Sequence, residues 1–332
     1  MDHNLSLIVE KIMAPKKGIL AADESNKTAG KRLEVIGVEN TEENRRKYRE
    51  LFLYTKDVEN YLSGVILFEE TLWQKGPDGK TFPEHLLELG ILPGIKVDES
   101  TAGMPGSPDE SITKGMDDLS ERVFKYKEAH VAFSKWRAVF VISENSPTEE
   151  AIHANATLLA LYAKTMQEQG IVPIVEPEVL LAGNHTLERS RNVTGRVLKI
   201  LFEKLNRYKV SLPHTILKTS MVLPGSESAE RATDEEVAKA TVATLKEFVP
   251  KELGGVVFLS GGQSPLEATN HLAAIARLEP LPWPIAFSYA RALQEPALSA
   301  WQGKEGNFPH AQSVFMETLK RNSAADQGIS VG

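Results

Sequence analysis

The stretch FSKWRAVFVISENSPTEEAIHANATLLALYAKTMQEQGIVPIVEPE, residues 133–178, contains two short apolar runs separated by a segment with helical character. The runs are 133–142 and 171–178, and the segment 147–169 between them is long enough for a crossover helix. Two strands joined in this way pair in parallel, and they are almost wholly apolar because helices cover them from outside. The stretch therefore predicts one unit of a parallel α/β sheet.

Six further apolar runs of the same kind occur, each ending in or beside polar residues. They span residues 18–24, 64–70, 91–98, 214–222, 255–263 and 284–291. Successive runs begin 27 to 46 residues apart, which leaves room for a strand and a helix each time. Eight such units predict an α/β fold with a single (β/α)8 TIM barrel over residues 1–332 and a short C-terminal segment from about residue 323.

The segments between the runs predict the helices and loops of this barrel. Besides 147–169, the clearest helices are 41–57, 186–208 and 233–249. Side chains that can accept from the free amides at three of the helix starts belong to Thr41, Ser146 and Thr233. The Gly/Pro/Ser-rich stretch 101–108 is expected to be a long loop after a strand, and not a domain boundary.

Composition excludes several classes of function. The chain has 332 residues and a net charge of -7, which argues against broad binding to nucleic acid or to an anionic membrane. It has no cysteine, so thiol catalysis and Cys-ligated zinc are excluded. No HxH or HExxH spacing occurs, and we expect neither a metal nor a cofactor. No basic leader precedes an apolar run and no run reaches about 18 residues, so a cytoplasmic location is expected.

The strand ends are unusually charged, and in barrels of this kind they form the active site. Side chains two apart on a strand share a face, so Lys135 pairs with Arg137, and Glu176 with Glu178 on the next strand. Buried ions must satisfy one another or a ligand. A structural layer of ion pairs and a substrate site both remain open for these four residues.

Lys218 follows the apolar pair Ile216 and Leu217 at the end of the sixth run. A lysine that loses solvation favours its neutral amine, which is the form that attacks a ketone. The alternative is a lysine whose stem lies along the strand while its ammonium reaches solvent.

The segment FLSGGQS, 258–264, runs from the seventh strand into a glycine-rich turn, where bare amides can approach a phosphate closely. An ordinary tight turn is the alternative. Arg291 closes the eighth run, and the loops after the seventh and eighth strands bind phosphate in many barrels. A phosphate site is therefore the favoured interpretation.

A second group of polar residues ends the first and third runs. Asp23 is either a general base for a sugar hydroxyl or the N-cap of a helix, and the sequence favours neither. Lys96, together with the hydroxyls of Ser25 and Thr28, could hold a second phosphate.

Nine segments, in order over nearly the whole chain, closely resemble class I fructose-1,6-bisphosphate aldolases. They are GILAADES (18–25), NTEENRRKYRELF (40–52), GVILFEETLWQK (64–75), GIKVD (94–98), FSKWR (133–137), GIVPIVEPE (170–178), ILK (216–218), FLSGGQS (258–264) and SYARAL (288–293). The resemblance implies a metal-independent enzyme of glycolysis and gluconeogenesis, or of the Calvin cycle, that cleaves fructose 1,6-bisphosphate reversibly into dihydroxyacetone phosphate and glyceraldehyde 3-phosphate.

The resemblance also implies catalytic roles. Lys218 would form a Schiff base with the ketose C2 carbonyl, Glu176 would carry the protons for its dehydration, and Asp23 would take the C4 hydroxyl proton. Lys135 would lie beside the nucleophile and help to keep the amine uncharged, with support from Glu178.

The binding residues that the resemblance implies fall into two sets. The C1 phosphate would be held by Ser260, Gly261, Gly262, Ser288 and Arg291. The sugar and the C6 phosphate would be surrounded by Ser25, Thr28, Arg32, Lys96 and Arg137.

The resemblance suggests a homotetramer and a cytoplasmic location, or a plastid if a transit peptide has been removed. The competing functions are a sedoheptulose-bisphosphate aldolase, a transaldolase-like Schiff-base enzyme, and a sugar-phosphate-responsive scaffold without turnover. Two phosphate sites favour a bisphosphate substrate, and a scaffold would have no use for Lys218, Glu176 and Asp23 together.

Overall fold

The computed structural model describes residues 2–278 and 280–330. Ten strands are present in this part of the chain. They are β1 Gly18–Ala22, β2 Leu62–Leu67, β3 Leu92–Lys96, β4 Thr101–Met104, β5 Ser107–Thr113, β6 Phe133–Phe140, β7 Val172–Val179, β8 Ile216–Thr219, β9 Gly255–Phe258 and β10 Ile285–Tyr289.

Twelve α-helices accompany these strands in the described ranges. They are α1 Asp2–Ile12, α2 Asn26–Val35, α3 Glu42–Leu53, α4 Glu69–Trp73, α5 Phe82–Glu88, α6 Leu119–Glu128, α7 Glu149–Glu168, α8 Leu187–Arg207, α9 Asp234–Phe248, α10 Pro265–Ala276, α11 Arg291–Trp301 and α12 Phe308–Ala325. No helix of residues 2–278 and 280–330 is long and apolar enough to span a membrane.

Eight of the strands form a closed parallel barrel, which confirms the predicted (β/α)8 architecture. Their order around the barrel is β1-β10-β9-β8-β7-β6-β3-β2, with β2 paired back to β1. Each predicted apolar run contains or overlaps one barrel strand. The bounds differ by a few residues, and several of the polar residues near the ends of the runs, such as Lys135, Glu176 and Lys218, lie within the strands themselves.

The remaining strands correct one prediction. Residues 101–108, expected to be a loop, belong to an antiparallel hairpin of β4 and β5 that lies between β3 and α6. Asn155 on α7 supports the hairpin, since its side chain accepts from Thr113 N at 3.2 Å and donates to Ser111 O at 2.9 Å. This partner is more than forty residues away in sequence, so local composition could not reveal it.

The predicted helix starts are confirmed at two of three positions. Thr41 caps α3 by accepting from Asn44 N, and Thr233 caps α9 within a reciprocal pair with Glu236. Ser146 was the wrong choice for α7, where the side chain of Thr148 accepts from Ala151 N.

Two apolar layers hold the barrel together. The larger lies between the strands and the outer helices, and the smaller fills the barrel interior. Helix α1 closes the amino-terminal end of the barrel with Leu5, Val9 and Ile12, which belong to the interior cluster. The opposite, carboxyl end is therefore the open one, and the predicted site residues lie there.

Candidate active site

A cavity of about 680 Å³ opens at the carboxyl end of the barrel. Residues on or directly after seven of the eight barrel strands line it, and β2 contributes none. All the residues predicted for the site line this cavity except Gly262, which adjoins it. The cavity is in the position where (β/α)8 enzymes bind their substrates.

Two buried lysines lie together in the cavity and share a carboxylate. Lys218 Nζ is 3.2 Å from Glu176 Oε1, and Lys135 Nζ is 3.4 Å from Glu176 Oε2. Lys135 Nζ is also 2.7 Å from Asp23 Oδ2 and 3.6 Å from Asp98 Oδ2. The side chains of Lys135 and Lys218 are only 3% and 5% exposed, so water does not screen these contacts strongly.

Strand geometry explains why these side chains meet. Lys135, Glu176 and Lys218 lie on the neighbouring strands β6, β7 and β8. The residues two positions earlier on the same strands, and hence on the same face, fill the barrel interior: Phe133, Ile174 and Ile216. The apolar interior thus forms a base beneath the charged cluster, and the alternative of a solvent-directed Lys218 is wrong.

Electrostatics fix the protonation of the Lys135–Asp23 pair. Burial raises the pKa of the Asp23 carboxyl, but the positive charges of Lys135 and Lys218 outweigh this effect. The pKa therefore lies well below its ordinary value. Burial lowers the pKa of the Lys135 ammonium, but Asp23, Glu176 and Asp98 raise it above its ordinary value. At neutral pH Asp23 is therefore a carboxylate that can accept a proton, and Lys135 is an ammonium that cannot attack a carbonyl.

Glu178 and Arg137 form a separate ion pair at the mouth of the cavity. Arg137 Nε donates to Glu178 Oε2, and the Arg137 side chain is 41% exposed. The Arg137 backbone N–H donates to Asp98 Oδ2 at 3.2 Å. Glu178 thus contacts Arg137. It was expected to support Lys135, but the ion pairs of the described residues include no contact between these two side chains.

The glycine-rich turn and Arg291 converge on one side of the cavity. Gly261 and Gly262 have φ of 55° and 97°, which is backbone that glycine adopts readily. A Cβ built on Gly262 would lie 3.6 Å from Arg291 Nη2. Ser288 Oγ is buried and has no hydrogen-bond partner in the described part of the chain. A buried hydroxyl beside a guanidinium and bare amides is suited to phosphate oxygens.

The other predicted binding residues form a second wall, on and directly before α2 and on β3 and β6. Ser25, and not Asp23, caps α2, because its Oγ accepts from Thr28 N at 3.3 Å. Asp23 as a helix cap is therefore wrong. Lys96 Nζ is 2.7 Å from Asp98 Oδ1, so this lysine is already paired with a carboxylate.

A buried cluster of polar side chains around Arg32 was not predicted from the sequence. Arg32 Nη1 donates to Glu24, to Gln294 and, at 2.9 Å, to Tyr48 Oη. Arg49 Nη1 lies 2.9 Å from the second oxygen of Glu24. Arg32 lies on α2, Tyr48 and Arg49 on α3, and Gln294 on α11, while Glu24 lies between β1 and α2. Only the closed barrel brings these residues together. Asp98 was also not predicted as a site residue. In this case the sequence held a signal, since Asp98 lies two residues after Lys96 and the spacing could have indicated a shared face.

The acidic residues are not arranged as a metal site. Within residues 2–278 and 280–330, no group of three or more His, Asp or Glu side chains could hold a metal ion.

Comparisons with known proteins give a consistent picture. The family model described as "Fructose-bisphosphate aldolase class-I" matches residues 4–332. The chain is 47% identical over 327 residues to the "Probable fructose-bisphosphate aldolase class 1" of Xylella fastidiosa strain 9a5c, covering 98% of each chain. It is 51% identical over 318 residues to "Fructose-bisphosphate aldolase 4, cytosolic" of Arabidopsis thaliana, covering 96% of this chain and 81% of that one.

A solved structure is similar over its full barrel. It is a fructose-bisphosphate aldolase from Plasmodium falciparum, in complex with TRAP and a small-molecule inhibitor, with a TM-score of 0.98 and 44% identity. The match covers 99% of this chain and 96% of that one. With the family model over nearly the whole sequence, these relatives show that the chain belongs to the class I fructose-bisphosphate aldolase family.

Proposed function

We propose that this chain cleaves fructose 1,6-bisphosphate reversibly into dihydroxyacetone phosphate and glyceraldehyde 3-phosphate, through a Schiff base on Lys218. The observation that carries the assignment is the contact of Lys218 Nζ with Glu176 Oε1 at 3.2 Å. Of the two buried lysines, Lys135 faces three carboxylates and is held charged. Among the ion pairs of the described residues Lys218 has one carboxylate partner, Glu176, and we assign it as the amine that attacks.

Formation of the Schiff base needs a proton carrier beside the amine. Glu176 accepts the proton that the Lys218 ammonium must lose, and the free amine then adds to the ketose C2 carbonyl. Glu176 returns the proton to the C2 hydroxyl, which leaves as water, so that a protonated imine remains. Its other oxygen faces Lys135 at 3.4 Å, which keeps the carboxyl group aimed at the nucleophile.

Cleavage needs a base for the C4 hydroxyl. Asp23 is ionised at neutral pH, because its pKa lies below the ordinary value, and as a carboxylate it can accept this proton. As Asp23 takes the proton, the C3–C4 bond breaks and its electron pair passes into the imine to form an enamine, while the aldehyde leaves. The enamine then takes a proton at C3 from water, and Asp23 releases its own proton to solvent. Hydrolysis of the imine by water frees dihydroxyacetone phosphate and restores Lys218.

Two walls of the cavity that each carry basic residues suit a substrate with a phosphate at each end. Ser260, Gly261, Gly262, Ser288 and Arg291 are proposed to hold the C1 phosphate. The second wall, with Ser25, Thr28, Arg32, Lys96 and Arg137, is proposed to take the sugar and the C6 phosphate. In that wall Lys96 and Arg137 each have a carboxylate partner. Binding of the second phosphate must therefore share or displace Asp98 and Glu178.

The test of this function is an initial-rate assay with three ketoses, each with and without EDTA. We expect the highest kcat/KM for fructose 1,6-bisphosphate, a lower one for fructose 1-phosphate, and unchanged rates with EDTA. A higher kcat/KM for sedoheptulose 1,7-bisphosphate would favour the alternative aldolase. Transfer of a dihydroxyacetone unit from fructose 6-phosphate would favour a transaldolase, and binding without turnover would favour a scaffold.

The glycine turn gives a prediction for the first phosphate site. Gly262→Ala places a side chain at a φ of 97°, which non-glycine residues adopt at a cost of about 1–2 kcal/mol. We expect the KM for fructose 1,6-bisphosphate to rise about tenfold, because the turn shifts or blocks the approach of the phosphate. Steady-state kinetics and the melting temperature measure both effects.

A matched control for this prediction is Gly306→Ala. A Cβ at Gly306 meets nothing within 4 Å, and its φ lies outside the left-handed range. It should leave the KM unchanged. An unchanged KM in Gly262→Ala would remove the turn from the binding site.

Assembly and location belong to the same proposal. We propose that the chain acts as a homo-oligomer, a tetramer as the family resemblance suggests, and that it works in the cytosol, as the name of its Arabidopsis relative says of that protein. Light scattering coupled to size-exclusion chromatography tests the first statement, and an elution peak with the mass of the monomer would contradict it.

A further inference from the structure

The turn that carries the two glycines is closed by the residue that follows them. The Gln263 backbone N–H donates to Ser260 O at 2.9 Å, and Gln263 Nε2 donates to the same carbonyl at 3.0 Å. The Ser260 carbonyl thus receives two hydrogen bonds from one residue. The second hydrogen bond holds the turn from outside the cavity, because Gln263 is not one of the residues that line it.

A histidine on the next helix holds Gln263 in turn. His271, on α10, has its Nδ1 2.6 Å from Gln263 Oε1. Both side chains are buried, with 5% exposure for His271 and 7% for Gln263. On its other side His271 Nε2 lies 3.2 Å from Asp234 Oδ1 at the start of α9. A continuous chain of polar contacts therefore leads from α9 through His271 to the turn.

The direction of these hydrogen bonds follows from the chemistry of the groups. A backbone carbonyl only accepts, so the Gln263 end that faces Ser260 O must be the amide nitrogen. The amide oxygen then faces His271, and Nδ1 must carry a proton and donate. Without that donor the amide oxygen loses its partner, and only the contacts of Nε2 with Ser260 O and, at 3.9 Å, with Met221 Sδ hold the amide in this orientation.

We infer that His271 and Gln263 are positioning residues for the phosphate-binding turn. They touch neither substrate nor reacting atoms. His271 fixes the Gln263 amide, which fixes the Ser260 carbonyl and so aims the amides of Gly261 and Gly262 into the cavity. This inference rests on the proposed function, because it takes the turn to be the C1-phosphate site.

The test is His271→Leu, which replaces the imidazole with an apolar side chain and so removes the donor to Gln263. We expect the KM for fructose 1,6-bisphosphate and the inhibition constant of inorganic phosphate each to rise about fivefold, with kcat within about twofold of the parent. His271→Asn should restore both constants, because its amide nitrogen can occupy the position of Nδ1 and donate to Gln263.

A purely structural role for His271 predicts a different result. Thr269→Val, on the same helix, removes the bonds of a buried hydroxyl to Pro265 O and Asn322 without touching the turn. It should lower the melting temperature and leave the KM unchanged. An unchanged KM in His271→Leu, or an equal rise in Thr269→Val, would overturn the inference. If His271→Leu does not fold, Gln263→Met removes the same bonds and should raise the KM alike.

A further variant separates this inference from the proposed function. Arg291→Met removes the guanidinium beside Gly262. If Arg291→Met raises the KM and neither His271→Leu nor Gln263→Met does, the positioning chain is wrong and the phosphate site stands. If Arg291→Met leaves the KM and phosphate inhibition unchanged, the phosphate does not bind on this turn, and both statements fall.

Discussion

Replacing Lys218 with methionine is expected to lower kcat for fructose 1,6-bisphosphate cleavage by at least about 10⁴-fold, because it removes the amine that forms the imine and hence the stabilisation of the C3 carbanion. Lys135 is the nearest second amine, but its pKa is raised by Asp23, Glu176 and Asp98 against the effect of burial. Methionine is similar in length to lysine and suits an apolar setting, so the fold should persist. Initial rates and the melting temperature measure the two effects.

Lys218→Arg is the matched control for charge. It keeps a cation that can pair with Glu176, which lies 3.2 Å from Nζ in the parent, but a guanidinium does not add to a ketone at neutral pH. We expect the same loss of kcat as in Lys218→Met. If Lys218→Arg keeps more than about a hundredth of the parental rate, Lys218 acts through its charge and is not the nucleophile.

Asp23→Asn is expected to lower kcat by about 10² to 10⁴-fold, the range typical of a lost general base. Its distinguishing feature is that imine formation should survive, because Lys218 and Glu176 are unchanged. Dihydroxyacetone phosphate should still be trapped on the variant by borohydride, while cleavage of the six-carbon substrate is slow. Rapid quenching at single turnover separates the two steps.

The control for Asp23 is Asp98→Asn. Both carboxylates face the Lys135 ammonium, at 2.7 Å for Asp23 and 3.6 Å for Asp98, so each substitution removes one negative charge from the same lysine. Only Asp23 is assigned a proton-transfer role, and Asp98→Asn should cost less than about tenfold in kcat. Equal losses would mean that both carboxylates act only by balancing the charge of Lys135.

The barrel and the central charges of the site could be predicted because both depend on short-range patterns. Apolar runs at regular intervals predict parallel strands with covering helices, and side chains two apart on a strand must share a face. Lys135, Glu176 and Lys218 therefore fall on adjacent strands above the interior residues without knowledge of any long-range contact.

What could not be predicted depends on contacts between distant segments. The hairpin of β4 and β5 has the composition of a loop, and Asn155 on α7 helps to make it a sheet. Arg32 was expected to bind substrate, yet its Nη1 already donates hydrogen bonds to Glu24, Tyr48 and Gln294. His271 was one of several scattered histidines, and only α10 folded against the turn brings its ring to Gln263.

The most direct test of the central claim is to reduce the enzyme with borohydride in the presence of dihydroxyacetone phosphate and EDTA, and then to map the modified peptide by mass spectrometry. The account predicts loss of activity and a single stable adduct on Lys218. It would be contradicted by an active preparation that yields no adduct, or by an adduct on Lys135 with Lys218 unmodified.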